Sequence, residues 1–227
     1  MSQHLQREVD GLKKKLLGLA ATVEESLLRA VLSLEKKDME MAQRVLSEDV
    51  KVDNAEIDVE EDCLKILALH QPVAVDLRVI IAALKINNDL ERIGDLAVNI
   101  AERSLALAAK PDFELFSDIQ DMCGKSVRML KLCLDSFIAL DWKQALAVCA
   151  ADDEVDRAYR DMHEKIKTGI ASAPQKIDEY LQMLSISRHL ERIADHATNI
   201  AEDVIYMIKG DIVRHRAVNL DHPHDDV

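Results

Sequence analysis

The sequence predicts an all-α protein whose six long helices form two homologous three-helix bundles. Apolar residues recur at helical spacing along nearly the whole chain, and strand-like alternation is absent. Four prolines and six glycines among 227 residues leave little material for β-turns. The phrase LERIGDLAVNIAE, from Leu90 to Glu102, returns as LERIADHATNIAE, from Leu190 to Glu202. Such self-similarity at a fixed distance indicates an internal repeat.

The first three predicted helices span 4–37, 39–69 and 72–109. Asp38 is a good N-cap for the second helix, and Pro72 suits the first turn of the third. The first helix has an apolar stripe at Leu12, Leu16, Leu19, Val23, Leu27 and Val31. The third has one at Ile86, Leu90, Ile93, Ala97 and Ile100.

The remaining helices are predicted at 113–140, 142–171 and 174–209. Pro111 separates the fourth helix from the third, and Pro174 marks the start of the sixth. Asp141 is a good N-cap for the fifth helix, with Gln144 at the capping-box position. Helices of about 30 residues are about 45 Å long, which suits an elongated bundle.

The repeat extends well beyond the quoted phrase. Six positions of the second helix match the fifth at an offset of 103, the two helix-starting prolines match at 102, and ten of the fourteen residues in 89–102 are identical in 189–202. We therefore predict a first bundle at 1–110, a second at 111–210, and a flexible tail rich in His and Asp at 211–227. The short junction at Lys110-Pro111-Asp112 predicts that the bundles pack as one rigid body.

Composition excludes several classes of protein. A formal charge of −13 without a segregated basic patch argues against nucleic-acid binding. The sequence has no apolar run long enough to span a membrane and no apolar signal-peptide core, so we expect a cytoplasmic protein that meets membranes only peripherally, through its partners. The four cysteines show neither CxxC spacing nor a compact framework, which predicts buried, unpaired thiols.

Acidic residues repeat at helical spacing on the faces opposite the predicted core. Glu91, Asp95, Asn99 and Glu102 form such a stripe on the third helix, and the second and fifth helices carry the stripes Asp49, Asp53, Glu56, Glu60 and Asp152, Asp156, Tyr159, His163. Antiparallel neighbouring helices bring two pairs of carboxylates together in each half. Oxygen-rich clusters suit Mg²⁺, Mn²⁺ or iron, and Zn²⁺ is possible. Asn99, Asn199 and His163 are candidate additional ligands.

Three alternatives compete with this metal-binding hypothesis. The acidic stripes are solvated faces if Arg92, Arg192 and Lys51 serve as counter-charges. A di-iron enzyme of the ferritin type needs Glu-x-x-His pairs facing a bundle core, and the repeated motif contains none. A metal-independent helical adaptor, docking through Arg78 and exposed apolar residues, is the stronger rival.

Several segments together resemble the PhoU family of bacterial phosphate-uptake regulators. They are the doubled LERIGDLAVNI and LERIADHATNI, QPVAVDLRVI at Gln71 to Ile80, SEDVKVD and AADDEVD, and the resemblance covers roughly residues 4–210. It implies two three-helix bundles with surface metal clusters on Asp49, Asp53, Glu91 and Asp95, and on Asp152, Asp156, Glu191 and Asp195. It also implies no enzymatic activity, a homodimer, and negative regulation that couples the ATPase subunit of the phosphate ABC transporter (PstB-like) to a sensor histidine kinase (PhoR-like).

The second half departs from the family pattern at the repeated phrase. Ala194 replaces the glycine found at Gly94, which we expect to limit the close approach of a partner or a metal-bridging water. His189 and His196 flank the second motif, so the second site is expected to differ in metal preference. The tail histidines His215, His222 and His224 lie outside the pattern.

Overall fold

The computed structural model describes residues 3–110 and 114–210, and over these ranges it contains six α-helices and one short 3-10 turn. The helices are α1 Gln3–Lys36, α2 Met39–His70, α3 Ala74–Ala108, α4 Ser117–Ala139, α5 Trp142–Ser172 and α6 Ile177–Lys209. The predicted all-α fold is therefore confirmed. Pro111, Asp112 and the tail 211–227 lie outside the described residues, so the predicted domain boundary and the tail stay predictions.

Both predicted N-caps hold their helices as expected. The Asp38 carboxylate accepts a hydrogen bond from the Met41 amide at 2.9 Å. The Asp141 carboxylate accepts bonds from the amides of Lys143 at 2.9 Å and Gln144 at 3.2 Å. Each cap satisfies backbone amides that lack partners in the first helical turn, so α2 and α5 begin at corresponding positions of the repeat.

Three predicted helix starts differ from the structure by two to four residues, and two of them involve proline. Helix α3 starts at Ala74, not at 72, because Val73 remains extended (φ −128°, ψ 160°). Helix α6 starts at Ile177, because Pro174 opens a 3-10 turn through Lys176 instead of an α-helix. Helix α4 starts at Ser117, not at 113, behind the extended residue Phe116.

The core is aliphatic and continuous through both bundles, as the low aromatic content predicts. Buried side chains of α1, α2 and α3 fill the first bundle, and those of α4, α5 and α6 fill the second. Three of the four cysteines are fully buried and all four are free thiols. None of the described helices has an apolar stretch long enough to cross a bilayer.

The two bundles pack against each other mainly through α3 and α6, with α1 also touching α4. Lys85 Nζ lies 3.2 Å from Asp203 Oδ1, and Asp89 Oδ1 lies 2.8 Å from His196 Nδ1. Early residues of α3 thus meet late residues of α6, so the two helices run antiparallel. This arrangement places the two copies of the repeated phrase side by side at the centre of the molecule.

Gly94 has a different role from the one expected. A Cβ at Gly94 would lie 3.1 Å from Cγ1 of Val52, so the glycine lets α2 approach α3 inside its own bundle. Ala194 is likewise fully buried. The expectation that this position controls access of a partner or of metal-bridging water is wrong, because the position faces the core.

Candidate metal centres

Three of the four carboxylates predicted for the second half come together on neighbouring helices. Asp156 on α5 and Glu191 and Asp195 on α6 each offer an oxygen, and these oxygens lie within 4.8 Å of one another. Glu191 and Asp195 are one helical turn apart, so they project from the same face of α6. The antiparallel packing of α5 against α6 supplies the third carboxylate.

Asp152, the fourth predicted residue, adjoins this group from one turn earlier in α5. Its burial raises the pKa of Asp152 to about 6, and the negative charges of Asp195 and Asp156 add to the rise. One oxygen, Oδ1, is buried and makes no hydrogen bond of good geometry, although the Thr198 hydroxyl lies near enough to lower the pKa of Asp152. A buried acceptor of this kind costs free energy unless a cation or a donor reaches it.

The carboxylates of the second centre share an excess of negative charge. Burial raises the pKa of Glu191, followed by the charges of Asp195, Asp156 and Asp152. Burial also raises the pKa of Asp195, with Asp156 adding to it. The donors are all oxygens, one buried oxygen is unsatisfied, and three donors already lie close together, so this residue set fits a hard or borderline cation.

The first half brings its four predicted residues into one neighbourhood but less compactly. Burial raises the pKa of Asp49, and the charges of Asp53 and Asp95 add to it. Burial and then Asp95 raise the pKa of Glu91. Within the ranges 3–110 and 114–210, however, only the second set places three ligand oxygens within 4.8 Å. The two predicted centres therefore differ in geometry.

Arginines lie beside both centres, closer to the carboxylates in the first. Arg92 Nε lies 3.4 Å from a Glu91 oxygen, and Arg92 Nη1 lies 3.4 Å from a carboxylate oxygen of Asp95. In the second half, Arg160 stands 3.7 Å from Asp156. Of the arginines in the solvated-face alternative, Arg92 thus lies beside its carboxylates, whereas burial raises the pKa of Asp195 and the charge of Arg192 offsets this rise only in part. Arg92 is largely exposed, which screens its attraction.

The lysine proposed as a counter-charge is engaged elsewhere. Lys51 Nζ lies 2.9 Å from Glu48 Oε1, in a pair that Glu48 shares with Arg29. The prediction that Lys51 neutralises the first acidic stripe is therefore wrong, because its side chain reaches back along α2 toward α1.

Additional ligands predicted from the sequence have other partners. The Asn99 amide donates to the backbone carbonyl of Asp95 at 2.8 Å. The Asn199 amide donates to Asp89 Oδ1 at 3.3 Å, across the interface between bundles. His163 Nδ1 lies 3.7 Å from Glu164. Because asparagine binds a metal through its carbonyl oxygen, these amide hydrogen bonds leave Asn99 and Asn199 as candidate additional ligands beside the eight carboxylates.

Of the two histidines that flank the second motif, His196 joins the two bundles and His189 contacts a residue of its own helix. His196 bonds to Asp89 across the interface, and His189 Nε2 lies 3.1 Å from the Ser185 hydroxyl. Burial lowers the pKa of His189 to about 4, and the positive charge of Arg103 lowers it further. Their positions give no support to the expectation that they alter the metal preference of the second site.

The sequence did not identify two polar residues that lie near the centres. The fully buried Asn87 on α3 donates to the backbone carbonyl of Glu56 at 3.0 Å and fixes α3 against α2 beside the first centre. Its sequence signal was a polar residue at an apolar register position. Thr198 lowers the pKa of Asp152 through its hydroxyl. The first half has Val98 at the corresponding position, so the repeat gave no signal for it.

Comparisons with known sequences agree over almost the full length of the chain. The family model for the PhoU domain matches residues 16–104 and again residues 119–204. The phosphate-specific transport system accessory protein PhoU homolog of Aquifex aeolicus is 37% identical over 212 residues, covering 93% of this chain and 96% of that protein. The homolog of Pseudomonas aeruginosa is 36% identical over 216 residues, covering 95% and 89%.

Solved structures show the same architecture. The crystal structure of PhoU from Pseudomonas aeruginosa superposes with a TM-score of 0.89 at 35% identity, covering 91% of this chain and 99% of that one. The phosphate transport system regulatory protein PhoU from Streptococcus pneumoniae gives a TM-score of 0.85 at 31% identity, covering 92% and 99%. With two domain matches, full-length relatives and a shared fold, this chain belongs to the PhoU family.

Proposed function

We propose that this protein is a negative regulator of phosphate uptake and of the phosphate-starvation response. The observation that carries the proposal is similarity over the full length to proteins named as accessory or regulatory proteins of the phosphate-specific transport system. The finer proposal is that it couples the ATPase subunit of the phosphate ABC transporter to a sensor histidine kinase. In this role it acts by binding partners, in the cytoplasm and as a homodimer, and does not catalyse a reaction.

We further propose that the two carboxylate centres bind metal ions, with iron, zinc, manganese and magnesium as the candidate species. Asp156, Glu191 and Asp195 would hold the ion of the second centre, joined by Asp152. Asp49, Asp53, Glu91 and Asp95 would hold that of the first. The support is the clustering of three oxygens within 4.8 Å and the unsatisfied buried oxygen of Asp152. A bound cation would offset the repulsion among these carboxylates and stiffen each pair of helices.

A metal-independent helical adaptor is the second candidate function. It is favoured by the arginine that already neutralises part of the first centre, since Arg92 lies within 3.4 Å of both Glu91 and Asp95. Metal binding separates the two candidates. After dialysis against a chelator, a metal-linked protein regains metal and melts at a higher temperature when the ion returns. If the protein contains no metal and its melting temperature does not change, the metal-independent adaptor is the better hypothesis.

The regulatory role is tested with a phosphate-responsive alkaline phosphatase reporter in a strain that lacks its own PhoU-family gene. We expect the deletion to release the reporter in high phosphate and this chain to restore repression. A reporter that stays repressed in the deletion strain, or a chain that is abundant but fails to restore repression, would contradict the proposal.

A further inference from the structure

The outward face of α2 carries three large apolar side chains that are exposed. Val50, Ile57 and Leu64 are 56%, 50% and 53% exposed. They stand seven residues apart, so they follow one line along the helix with a drift of about 20° per step. We call this line the α2 stripe. At 1.5 Å per residue it extends for about 21 Å, enough to seat about four turns of another helix.

The second bundle shows that the fold does not require the stripe. At the offset of 103 that relates α2 to α5, the three stripe positions correspond to Asp153, Arg160 and Lys167. The inward positions between them remain apolar in both helices, as Val52 and Val59 on α2 and Val155 and Met162 on α5, all at most 1% exposed. The same bundle is therefore built with charged residues where α2 has Val, Ile and Leu.

The surroundings of the stripe are strongly acidic. Between Asp49 and Lys65, α2 carries seven carboxylates and two lysines. At 100° per residue, Glu60 lies on one side of the stripe, and Asp58 and Glu61 lie on the other, all three exposed. A second copy of this face would bring like charges together along the whole seam. The charge pattern instead complements a partner with basic residues on both sides of an apolar seam.

We propose that the α2 stripe is a docking surface for a basic amphipathic helix of another protein. The apolar seam of that helix would cover Val50, Ile57 and Leu64, and its flanking Lys or Arg side chains would face Asp58, Glu60 and Glu61. This is the side-by-side packing of a short coiled coil, in which flanking charges select the partner. The inference goes beyond the proposed function, because it requires neither bound metal nor a phosphate transporter.

The test uses the full chain in buffer containing a chelator, so its outcome is independent of the carboxylate centres. The probe is a fluorescein-labelled helical peptide of about three heptads with Leu at positions a and d and Lys at e and g. Its twin carries Glu at e and g. We expect the Lys peptide to raise the fluorescence anisotropy and to bind at least about tenfold more tightly than the Glu peptide, with an affinity that falls as salt is added.

The residues at the corresponding positions of α5 define a matched variant of the α2 stripe. Val50→Asp, Ile57→Arg and Leu64→Lys place on α2 the residues that α5 carries at the same positions, and we expect affinity for the Lys peptide to fall at least about tenfold. The control variant, Ile138→Lys with Leu181→Lys, removes side chains that are 60% and 50% exposed elsewhere and should bind normally. If the triple variant does not fold by circular dichroism, Ile57→Arg alone replaces it, with an expected loss of at least about threefold.

Three results would overturn the proposal. The first is a folded stripe variant that binds the Lys peptide as tightly as the native chain does. The second is a Glu peptide that binds equally well, because charge would then select nothing. The third is a native dimer that the stripe variant alone dissociates, which would make a second copy the occupant of the surface.

Discussion

Asp89 on α3 and His196 on α6 are joined by a 2.8 Å contact between carboxylate Oδ1 and ring Nδ1, although they belong to different bundles. Their side chains are 15% and 17% exposed. The repeat pairs Asp89 with His189 and Leu96 with His196, so the two-fold relationship between the halves does not generate a second copy of this contact. It joins α3 to α6 two residues before Glu91 and one residue after Asp195.

Removal of this contact is predicted to weaken the junction between bundles. Asp89→Ala and His196→Ala should each lower the free energy of unfolding by about 1–2 kcal/mol. The first leaves the largely buried His196 without this partner, and the second leaves Asp89 only its hydrogen bond from Asn199. The double variant should lose less than the sum of the two. Urea unfolding of all four proteins gives the coupling energy, and strictly additive losses would show that the contact does not form.

Gly94 is predicted to be retained for packing against Val52. Gly94→Ala gains about 1 kcal/mol in helix propensity but presses a methyl group against Val52 Cγ1 at 3.1 Å. The Val52→Ala background removes this close contact. There, the change in the free energy of unfolding caused by Gly94→Ala should be more favourable than in the native background by about 1 kcal/mol or more. Thermal melts of the four proteins measure this difference. Equal effects in the two backgrounds would contradict the packing role.

Asp152 is predicted to make the metal-free protein less stable as pH rises. The folded pKa of Asp152 is about 6, against an ordinary value of 3.8, so the folded chain binds more protons than the unfolded chain between these values. The contribution of Asp152 is therefore present below about pH 4 and is lost as pH rises through about 6. Since the side chain is only partly buried, Asp152→Asn should raise the free energy of unfolding by about 1 kcal/mol at pH 7 after allowance for screening. Urea melts at several pH values in chelator check this, and a variant with the same pH dependence as the native chain would contradict it.

The second centre is predicted to dominate metal-induced stabilisation. It places three carboxylate oxygens within 4.8 Å, whereas Arg92 occupies part of the first. Glu191→Gln with Asp195→Asn should therefore abolish more of the rise in melting temperature on metal addition than Glu91→Gln with Asp95→Asn. Asp121→Asn, at an exposed carboxylate of α4, is the control and should respond like the native chain. An equal loss in both double variants would indicate that the geometric difference has no effect on binding.

Much of the fold was predictable because the determining signals are local and repeated. Helical spacing of apolar residues, the caps at Asp38 and Asp141, and the doubled phrase together predict six helices in two bundles. The errors at Pro72 and Pro174 arise because a proline marks the neighbourhood of a helix start but does not fix whether an extended residue or a 3-10 turn comes first. The antiparallel pairing of α3 and α6 depends on contacts such as Lys85 with Asp203, which no local pattern contains.

The candidate site was predictable in its residues but not in its geometry. The i, i+4 spacing predicts which carboxylates share a helix face. It does not predict that the second set gathers more closely than the first, that Lys51 turns to Glu48, or that Asn199 bonds across the interface. Those outcomes depend on which side chains of neighbouring helices compete for the same partner.

The central claim is that phosphate signalling requires the carboxylates of the repeated phrase. Its most direct test is the alkaline phosphatase reporter in the deletion strain, complemented with the native chain or with a variant carrying Glu91→Gln, Asp95→Asn, Glu191→Gln and Asp195→Asn. At equal protein abundance, we predict that the native chain restores repression in high phosphate and that the variant does not. Full repression by the variant would contradict the claim and would leave the repeated carboxylates without a role in signalling.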